Sequence, residues 1–312
     1  MLRYAPLSAE NYVRNRKAFA DALAPGALAL FSSNDTYPTG ADGTLPFRQD
    51  SNMLHMCGVD QEETVLLVFP NAHNPADREI LFVTETSAEI AIWEGAKLTK
   101  AEATAQTGVK QVQWLSALDR TIQRLVTECS CCYLHQNEHT RAKVVVETRE
   151  ARFNKWFTET YPHVRIERSA PLLHRLRSIK SEEEIERMRH ACNITRDGFN
   201  RVMKFVKPGV TEFEVEAEYL HEFIRKGSRG FAYTPIVASG ANACVLHYIE
   251  NSAECKAGDV LLMDVGAEYG NYASDMTRCL PVSGRFTDRQ RKVYDAVLSV
   301  MRDAMKLLRP GV

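Results

Sequence analysis

The 312-residue sequence has no excess of charge of either sign and no long apolar run. Lysine and arginine total 39 against 40 aspartates and glutamates, which excludes the strongly basic surface typical of proteins that bind nucleic acids or anionic membranes. No stretch approaches the roughly 18 apolar residues of a membrane span, and residues 1–17 lack the apolar centre of a signal peptide. We therefore expect a soluble, cytoplasmic protein with no nucleic-acid or membrane partner.

The eight cysteines have no regular spacing, which argues against a disulfide framework. Cys129, Cys131 and Cys132 are followed by His135 and His139, a set that superficially resembles zinc ligands. No pair has the spacing of a zinc knuckle, and the segment around the two adjacent cysteines has the pattern of a short buried strand. The favoured interpretation is that these cysteines are small apolar core residues.

The length indicates two domains, because single cores rarely grow beyond about 250 to 300 residues. In the first part of the chain, helical and extended patterns alternate, which favours an α/β domain with a sheet covered by helices. We place this domain at residues 1–170 and a second one at 171–312. The predicted elements of the first domain are helices at 8–23, 88–93, after 116 and at 138–160, and strands at 27–33, 64–70, 78–84 and 131–135.

The second domain combines three capping boxes, which predict three helix starts, with four strand patterns. The boxes lie at 181–184, 211–214 and 287–290, and the strand patterns at 231–239, 243–248, 259–266 and 275–282. The segment MKFVKPGV at 203–210 recurs as MKLLRPGV at 305–312 with five of eight residues identical, which indicates an internal duplication unless Pro-Gly helix ends coincide by chance. A duplicated domain predicts more sequence after Val312 than the chain contains.

Two aspartates, Asp264 and Asp275, stand in consecutive strand patterns. The Gly-Asn pair at 270–271 is a favourable two-residue hairpin turn, and the resulting register pairs Asp264 with Thr277 and Gly266 with Asp275. Both carboxylates and the threonine then share one face, on which two unpaired carboxylates repel each other unless a cation joins them. The pattern predicts a metal site.

Other interpretations of these residues stay open. Asp264 could be a strand-end residue that hydrogen-bonds to a turn, and Asp275 could pair with Arg278 if the strand is irregular. His247 stands at the end of an apolar run just before the hairpin, where a histidine is either a packed side chain or a catalytic group.

Residues 239–251 and 261–287 together resemble the catalytic domain of aminopeptidase P, the Xaa-Pro aminopeptidases of the pita-bread metallopeptidases. Residues 46–58 and 177–191 are similar to that family's N-terminal domain and to the start of its catalytic domain. The resemblance implies an α/β N-terminal domain of the creatinase and aminopeptidase P type, followed by an α+β pita-bread domain. Of the latter, this chain would hold only the first half and would be incomplete.

The family implies a metal-dependent aminopeptidase that releases the N-terminal residue from peptides with proline in the second position, through a hydroxide that bridges two divalent metal ions, usually Mn²⁺. Asp264 and Asp275 match the two aspartate ligands of these ions. His247 matches a histidine near the scissile amide, and Thr277 matches a residue that orients Asp275. The family's other ligands, one histidine and two glutamates, would lie beyond Val312, so we expect the chain alone to be inactive.

The resemblance also implies a homodimer or homotetramer, in which residues 36–52 contact the substrate or a neighbouring subunit. Three other functions remain open: a prolidase, a creatinase-like hydrolase and a non-catalytic pita-bread binding module. Cleavage of a tripeptide would separate the aminopeptidase from the other two hydrolases. The presence of both aspartates argues against the binding module, which has no physical need for carboxylates on an apolar strand face.

Overall fold

A computed structural model describes residues 3–4, 6–139, 141 and 145–312. The chain forms two compact units, residues 6–183 and residues 184–312 with the segment 1–5. The division lies after residue 183, whereas the sequence predicted it after residue 170, because the helix that follows packs Leu173 into the core of the first unit.

The helices are α1 (Ala9–Ala22), α2 (Ser51–Cys57), α3 (Ala88–Glu94), α4 (Lys100–Thr107), α5 (Leu118–Leu125), α6 (Arg149–Thr160), α7 (Ala170–Ser178), α8 (Glu182–Phe205), α9 (Glu212–Arg225) and α10 (Asp288–Lys306). The strands are β1 (Ala27–Ser32), β2 (Val65–Val68), β3 (Glu79–Val83), β4 (Gln111–Trp114), β5 (Cys131–Leu134), β6 (Arg165–Arg168), β7 (Ile236–Ser239), β8 (Val260–Val265), β9 (Glu268–Tyr269), β10 (Tyr272–Ala273) and β11 (Met276–Pro281). No helix in the described ranges is both long and apolar enough to cross a membrane.

The first unit is built on a mixed six-stranded sheet in the order β4-β3-β2-β1-β5-β6. The pairs β1–β2 and β2–β3 are antiparallel, and the other three pairs are parallel. Successive residues of β1 enter different cores: Leu28 and Leu30 join one apolar cluster, whereas Ala29 and Phe31 join the other. Burial of both faces explains the continuous apolar run of this strand and confirms the predicted sheet covered by helices.

Several predicted elements of the first unit differ from the structure. The helix predicted at 138–160 begins only at Arg149, where Thr148 caps it, and Glu138 and His139 are not helical. Part of the predicted range, residues 140 and 142–144, lies outside the described residues. The sequence also missed α2, α4, α7, β4 and β6, which are short or carry polar residues on their exposed sides, so that their apolar periodicity is weak.

The two adjacent cysteines, Cys131 and Cys132, are fully buried within β5. The interpretation as core residues is thereby confirmed for this pair, while Cys129 is partly exposed. Burial raises the pKa of the Cys132 thiol well above its usual value, which disfavours the thiolate that a metal would require.

The second unit contains the antiparallel sheet β11-β8-β7 and the small ladder β10-β9. Its core lies between this sheet and the helices α8 and α9, with Phe199, Val202, Tyr219, Phe223, Leu261 and Met263 among its members. The predicted capping boxes at Thr211 and Thr287 are confirmed at the starts of α9 and α10. Both copies of the repeated segment span the end of a helix, and their glycines, Gly209 and Gly311, have left-handed backbones.

Two strand predictions in this unit need correction. The strand predicted at 231–239 is limited to Ile236–Ser239, because Pro235 lacks an N–H for a ladder hydrogen bond. The strand predicted at 243–248 is wrong: residues 240–244 form a 3₁₀-helix and residues 246–247 an exposed turn. Gly240 has a φ of +55°, a conformation that starts a turn rather than extending the strand.

Candidate metal centre

The β8–β11 hairpin has the turn and the register that the sequence predicts. Gly270 and Asn271 both have positive φ, 58° and 66°, as a type I′ turn requires. Tyr269 pairs with Tyr272 across the turn, and Asp264 pairs with Thr277 further along the hairpin. The register therefore brings the chain that carries Asp275 back alongside β8.

The pairing of the two hairpin arms is interrupted next to Asp275, between the β9–β10 ladder and the β8–β11 ladder. An added Cβ on Gly266 would lie 1.8 Å from the Ser274 carbonyl oxygen, so the two backbones approach too closely for any other residue. The close approach of the Ser274 backbone therefore requires glycine at this position.

Thr195 of α8 satisfies the polar groups at this interruption. Its hydroxyl accepts a hydrogen bond from Ala267 N at 2.8 Å and lies 2.7 Å from the Ser274 hydroxyl, which in turn donates to Ala267 O at 2.9 Å. All three residues are buried. Since a buried N–H without a partner costs about 1–3 kcal/mol, Thr195 stabilises the bend that precedes β11 and aims Asp275.

Tyr233 joins the two aspartates, which we call the hairpin pair. Its hydroxyl lies 2.5 Å from Asp264 Oδ1 and 3.2 Å from Asp275 Oδ1. The position of Tyr233 follows from Ala232, whose N–H donates to Gly266 O at 2.7 Å beside the interruption. The two carboxylates thus converge on one oxygen atom.

The hydroxyl cannot neutralise the hairpin pair. A phenol has one hydrogen, so it donates to one carboxylate at a time, and the shorter distance favours Asp264. Burial and the adjacent Asp264 carboxylate raise the pKa of Tyr233 far above its usual value, which keeps the phenol neutral. Two negative charges consequently remain close together with a single neutral donor between them.

The hairpin pair lies on the more open face of the sheet. Along β8, Leu261, Met263 and Val265 enter the core, whereas Asp264 is half-buried, and Asp275 is exposed. The face of β8 that carries Asp264, predicted from the sequence as an apolar strand face, is the less buried one. The carboxylates therefore remain accessible to an ion or a ligand from solvent.

The loop that carries His247 is held by a buried glutamate at the start of α9. Glu212 accepts hydrogen bonds from Ser239 N, the Ser239 hydroxyl, the Tyr248 hydroxyl and Ala253 N at 2.7 to 2.9 Å. Burial alone would raise the pKa of Glu212, but these donors outweigh it and the pKa is lowered. His247 itself is exposed in the turn before Tyr248.

Of the four residues named from the sequence, the structure brings the two aspartates together. Thr277 pairs with Asp264 in the ladder and lines a groove of about 530 Å³ against α10, but within the described ranges its side chain makes no hydrogen bond to Asp275. The roles assigned to Thr277 and His247 stay predictions.

Carboxylate oxygens are donors that Mn²⁺ and Mg²⁺ accept, so the hairpin pair fits a divalent cation in kind. Among the residues described by the structure, no third histidine, cysteine or carboxylate joins the pair in a three-ligand group. A complete coordination shell for such an ion requires additional oxygen or nitrogen donors.

Sequence reasoning missed Tyr233, Thr195 and Glu212. Each acts across a long sequence separation on a residue of the site or its loop, and none stands in a motif of its own. A tyrosine in an apolar segment, a threonine inside a helix and a capping-turn glutamate are common in any globular protein, so no local signal distinguishes them.

Both units resemble known domains. Residues 12–134 match the family model "Aminopeptidase P, N-terminal domain", and residues 186–312 match "Metallopeptidase family M24". The chain is 34% identical to the Xaa-Pro aminopeptidase of Escherichia coli (strain K12), over 98% of this chain and 69% of that protein. It is 32% identical to the Xaa-Pro aminopeptidase of Haemophilus influenzae, over 96% of this chain and 66% of that protein.

The chain is also similar to a solved structure. Zinc-substituted E. coli aminopeptidase P in complex with product superimposes with a TM-score of 0.85 at 33% identity, over 98% of this chain and 70% of that chain. The chain thus spans about two thirds of the length of the two curated relatives.

Proposed function

Because the chain belongs to the aminopeptidase P family of M24 metallopeptidases, we propose that it serves the metal-dependent release of an N-terminal residue from peptides with proline in the second position. The observation that supports this proposal is the convergence of Asp264 and Asp275 on the single Tyr233 hydroxyl. The pair gathers negative charge that this neutral donor leaves uncompensated, which is the electrostatic condition for binding a divalent cation.

In this proposal the hairpin pair contributes carboxylate ligands to two divalent ions, for which we propose Mn²⁺. Such ions supply Lewis acidity, which polarises the scissile carbonyl and acidifies water. Tyr233 holds the Asp264 carboxylate in position by donating its hydrogen. His247, exposed beside the anchored Tyr248, is proposed to contact the scissile amide, and Thr277 to orient Asp275.

Proline in the second position offers a physical basis for selectivity. It has no amide hydrogen and a fixed ring, so a site shaped for it rejects ordinary peptide bonds by fit. We further propose, from the family resemblance, a cytoplasmic homodimer or homotetramer in which residues 36–52 contact the substrate or a neighbouring subunit. Light scattering coupled to size-exclusion chromatography measures that assembly state.

The test combines metal binding with hydrolysis. Mn²⁺ binding is followed by electron paramagnetic resonance, because it examines the ligands without requiring turnover. Hydrolysis is followed with an Xaa-Pro-Yaa tripeptide, an Xaa-Pro dipeptide and an Xaa-Ala-Yaa tripeptide. Asp264→Asn and Asp275→Asn are compared with Asp295→Asn, which removes an exposed carboxylate of α10.

We expect the chain and D295N to bind Mn²⁺, with at least about 100-fold weaker binding in D264N and D275N because a charged ligand is removed. Cleavage of the Xaa-Pro-Yaa tripeptide alone is expected only from protein that also carries the family's histidine and two glutamate ligands. Hydrolysis of the Xaa-Pro dipeptide but of neither tripeptide would contradict the aminopeptidase proposal and indicate a prolidase. Mn²⁺ binding that is unaffected by either substitution would contradict the assignment of the hairpin pair.

A further inference from the structure

A second group of metal-binding side chains lies in the other compact unit, within residues 6–183. It consists of Asp50, His135 and Glu150, which we call the buried cluster. One potential ligand atom from each residue lies within 4.8 Å of the others, and no other such group of three occurs among the described residues. The proposed aminopeptidase site uses none of these residues.

Three different elements bring the buried cluster together. Asp50 caps α2, His135 follows the last residue of β5, and Glu150 lies in the first turn of α6. Phe31 of the central strand stacks on the His135 ring, with centroids 5.9 Å apart, and fixes its orientation. The donors are therefore held by rigid elements rather than by one flexible loop.

The distances within the buried cluster suit a shared ion. His135 Nε2 lies 3.1 Å from Asp50 Oδ1 and 3.5 Å from Glu150 Oε2. Two ligands that each lie 2.0–2.2 Å from one ion at tetrahedral angles are roughly 3.3–3.6 Å apart. Small side-chain rotations would therefore bring all three groups into contact with one ion.

The His135 ring is buried next to the two carboxylates. His135 has a 2% exposed side chain, and neither ring nitrogen makes a hydrogen bond of acceptable geometry in the part of the chain that the structure describes. Its Nε2 nevertheless lies within 3.5 Å of an oxygen of each carboxylate. A buried polar nitrogen in this situation is costly unless it binds a proton shared with a carboxylate or a metal ion.

The carboxylates keep oxygens for an ion. Asp50 Oδ1 accepts the backbone N–H groups of Asn52 and Met53, while Oδ2 accepts no hydrogen bond in the described ranges. Glu150 uses Oε1 to accept from Asn137 N and faces His135 with Oε2. Glu150 therefore has Oε2, its oxygen nearest His135, available to a ligand. Asp50 has Oδ2 available, whereas its oxygen nearest His135 is Oδ1, which already accepts two backbone N–H groups.

Charge also favours a divalent cation over a proton. The Asp50 and Glu150 side chains are 16% and 14% exposed, and a protonated histidine would balance only one of their two negative charges. Arg177, whose positive charge acts on His135, donates instead to Asn52 Oδ1 at 2.5 Å.

We propose that Asp50, His135 and Glu150 form a binding site for one divalent transition-metal ion of the Zn²⁺ type. One imidazole nitrogen and two carboxylate oxygens are ligands that Zn²⁺ accepts, with water completing the tetrahedron. The ion ties α2, β5 and α6 together and stabilises the first unit. It is separate from the ions proposed for the hairpin pair.

The experiment uses the full chain with both Asp264→Asn and Asp275→Asn, which removes the hairpin pair. Any remaining metal site can then be counted whether or not the aminopeptidase proposal is correct. Co²⁺, whose visible absorption reports tetrahedral nitrogen and oxygen ligation, and Zn²⁺ are the probes. Binding is measured by spectroscopic titration, and stability by thermal unfolding with and without Zn²⁺.

His135→Gln and Glu150→Gln are made in this background, and His139→Gln serves as the matched control because His139 is exposed. We expect one equivalent of Co²⁺ or Zn²⁺ to bind the background protein and H139Q, with a rise in unfolding temperature. Affinity falls at least about 100-fold in H135Q and in E150Q. Circular dichroism checks folding, and E150Q provides the test if H135Q does not fold.

Absence of metal binding in the D264N/D275N protein would overturn the proposal and leave His135 as a proton-binding bridge between two carboxylates. Binding that persists unchanged in E150Q and H135Q would also overturn it, because the ion would then lie elsewhere.

Discussion

The hairpin pair and the buried cluster each contain two carboxylates close together, which repel each other. They differ in the side chain that lies between the carboxylates. Tyr233 gives the hairpin pair one hydrogen and no charge, whereas His135 can carry a positive charge inside the buried cluster. The hairpin pair is also more open, with Asp275 exposed, while no side chain of the buried cluster is more than 16% exposed. An accessible pair is suited to exchangeable, catalytic ions, and an enclosed one to a structural ion.

Gly266→Ala should have the largest effect on stability and Mn²⁺ binding, because it distorts the hairpin pair. It leaves the buried cluster unchanged. The new Cβ would meet the Ser274 carbonyl oxygen at 1.8 Å, so the backbone must move. We expect a loss of about 3 kcal/mol in the free energy of unfolding and loss of Mn²⁺ binding at the hairpin pair. Chemical denaturation and Mn²⁺ titration measure these effects.

Gly40→Ala is the control for this substitution, because nothing lies within 4 Å of its Cβ position and its φ is not positive. A stable G266A protein that binds Mn²⁺ normally would contradict the close approach of the two backbones.

Glu212→Gln supplies a reference for the comparison, since this buried carboxylate is satisfied by hydrogen bonds and needs no cation. Replacing a charged acceptor of four strong donors should cost about 2–3 kcal/mol at pH 7. Because the folded pKa of Glu212 is lowered, its stabilisation is present above the unfolded value of 4.5 and is lost as the pH falls through the folded value.

Urea unfolding of wild-type protein and E212Q at several pH values checks this sign, and the exposed Glu254→Gln serves as control. The difference in unfolding free energy should shrink on acidification below pH 4.5. A difference that stays constant with pH would show that Glu212 acts through packing rather than through its charge.

Thr195→Val removes the hydroxyl that supports the backbone beside the hairpin pair and leaves both aspartates in place. It leaves Ala267 N and the Ser274 hydroxyl without their buried partner, so we expect a loss of about 2 kcal/mol in unfolding free energy. Thr195→Ser keeps the hydroxyl and should cost only about 1 kcal/mol for the lost methyl group. Equal stability of the two variants in thermal unfolding would argue against the role of the hydroxyl.

Tyr233→Phe should have the smallest effect of these substitutions. It removes the hydroxyl that lies between the two carboxylates of the hairpin pair. Loss of one hydroxyl should lower the stability of the metal-free protein by about 1 kcal/mol. Mn²⁺ affinity should change only a few-fold, because the cation takes over the interaction with both carboxylates. Calorimetric titration measures this, and Tyr294→Phe on α10 is the control. A large loss of Mn²⁺ affinity in Y233F would mean that the hydroxyl is itself essential to the ion site.

Much of the fold follows from local patterns. The turn at Gly270 and Asn271 and the pairing of Asp264 with Thr277 were predictable, because a Gly-Asn pair tolerates the two positive φ values of a type I′ turn and thereby sets the register. The capping boxes of α9 and α10 are equally local. Prediction failed at 243–248, where Tyr248 donates to the distant Glu212, and at Glu138 and His139, where Glu138 accepts from the distant Arg168.

The sequence by itself determined the hairpin, its register and the two aspartates that the register brings alongside each other, since these depend on residues within one short segment. Only the tertiary structure decided that Tyr233 stands between the aspartates and that Thr195 fills the gap in the ladder. It alone also placed His135 between two carboxylates from other elements. Such contacts depend on how separate helices and strands pack. Packing brings together residues whose spacing along the chain shows no period or motif.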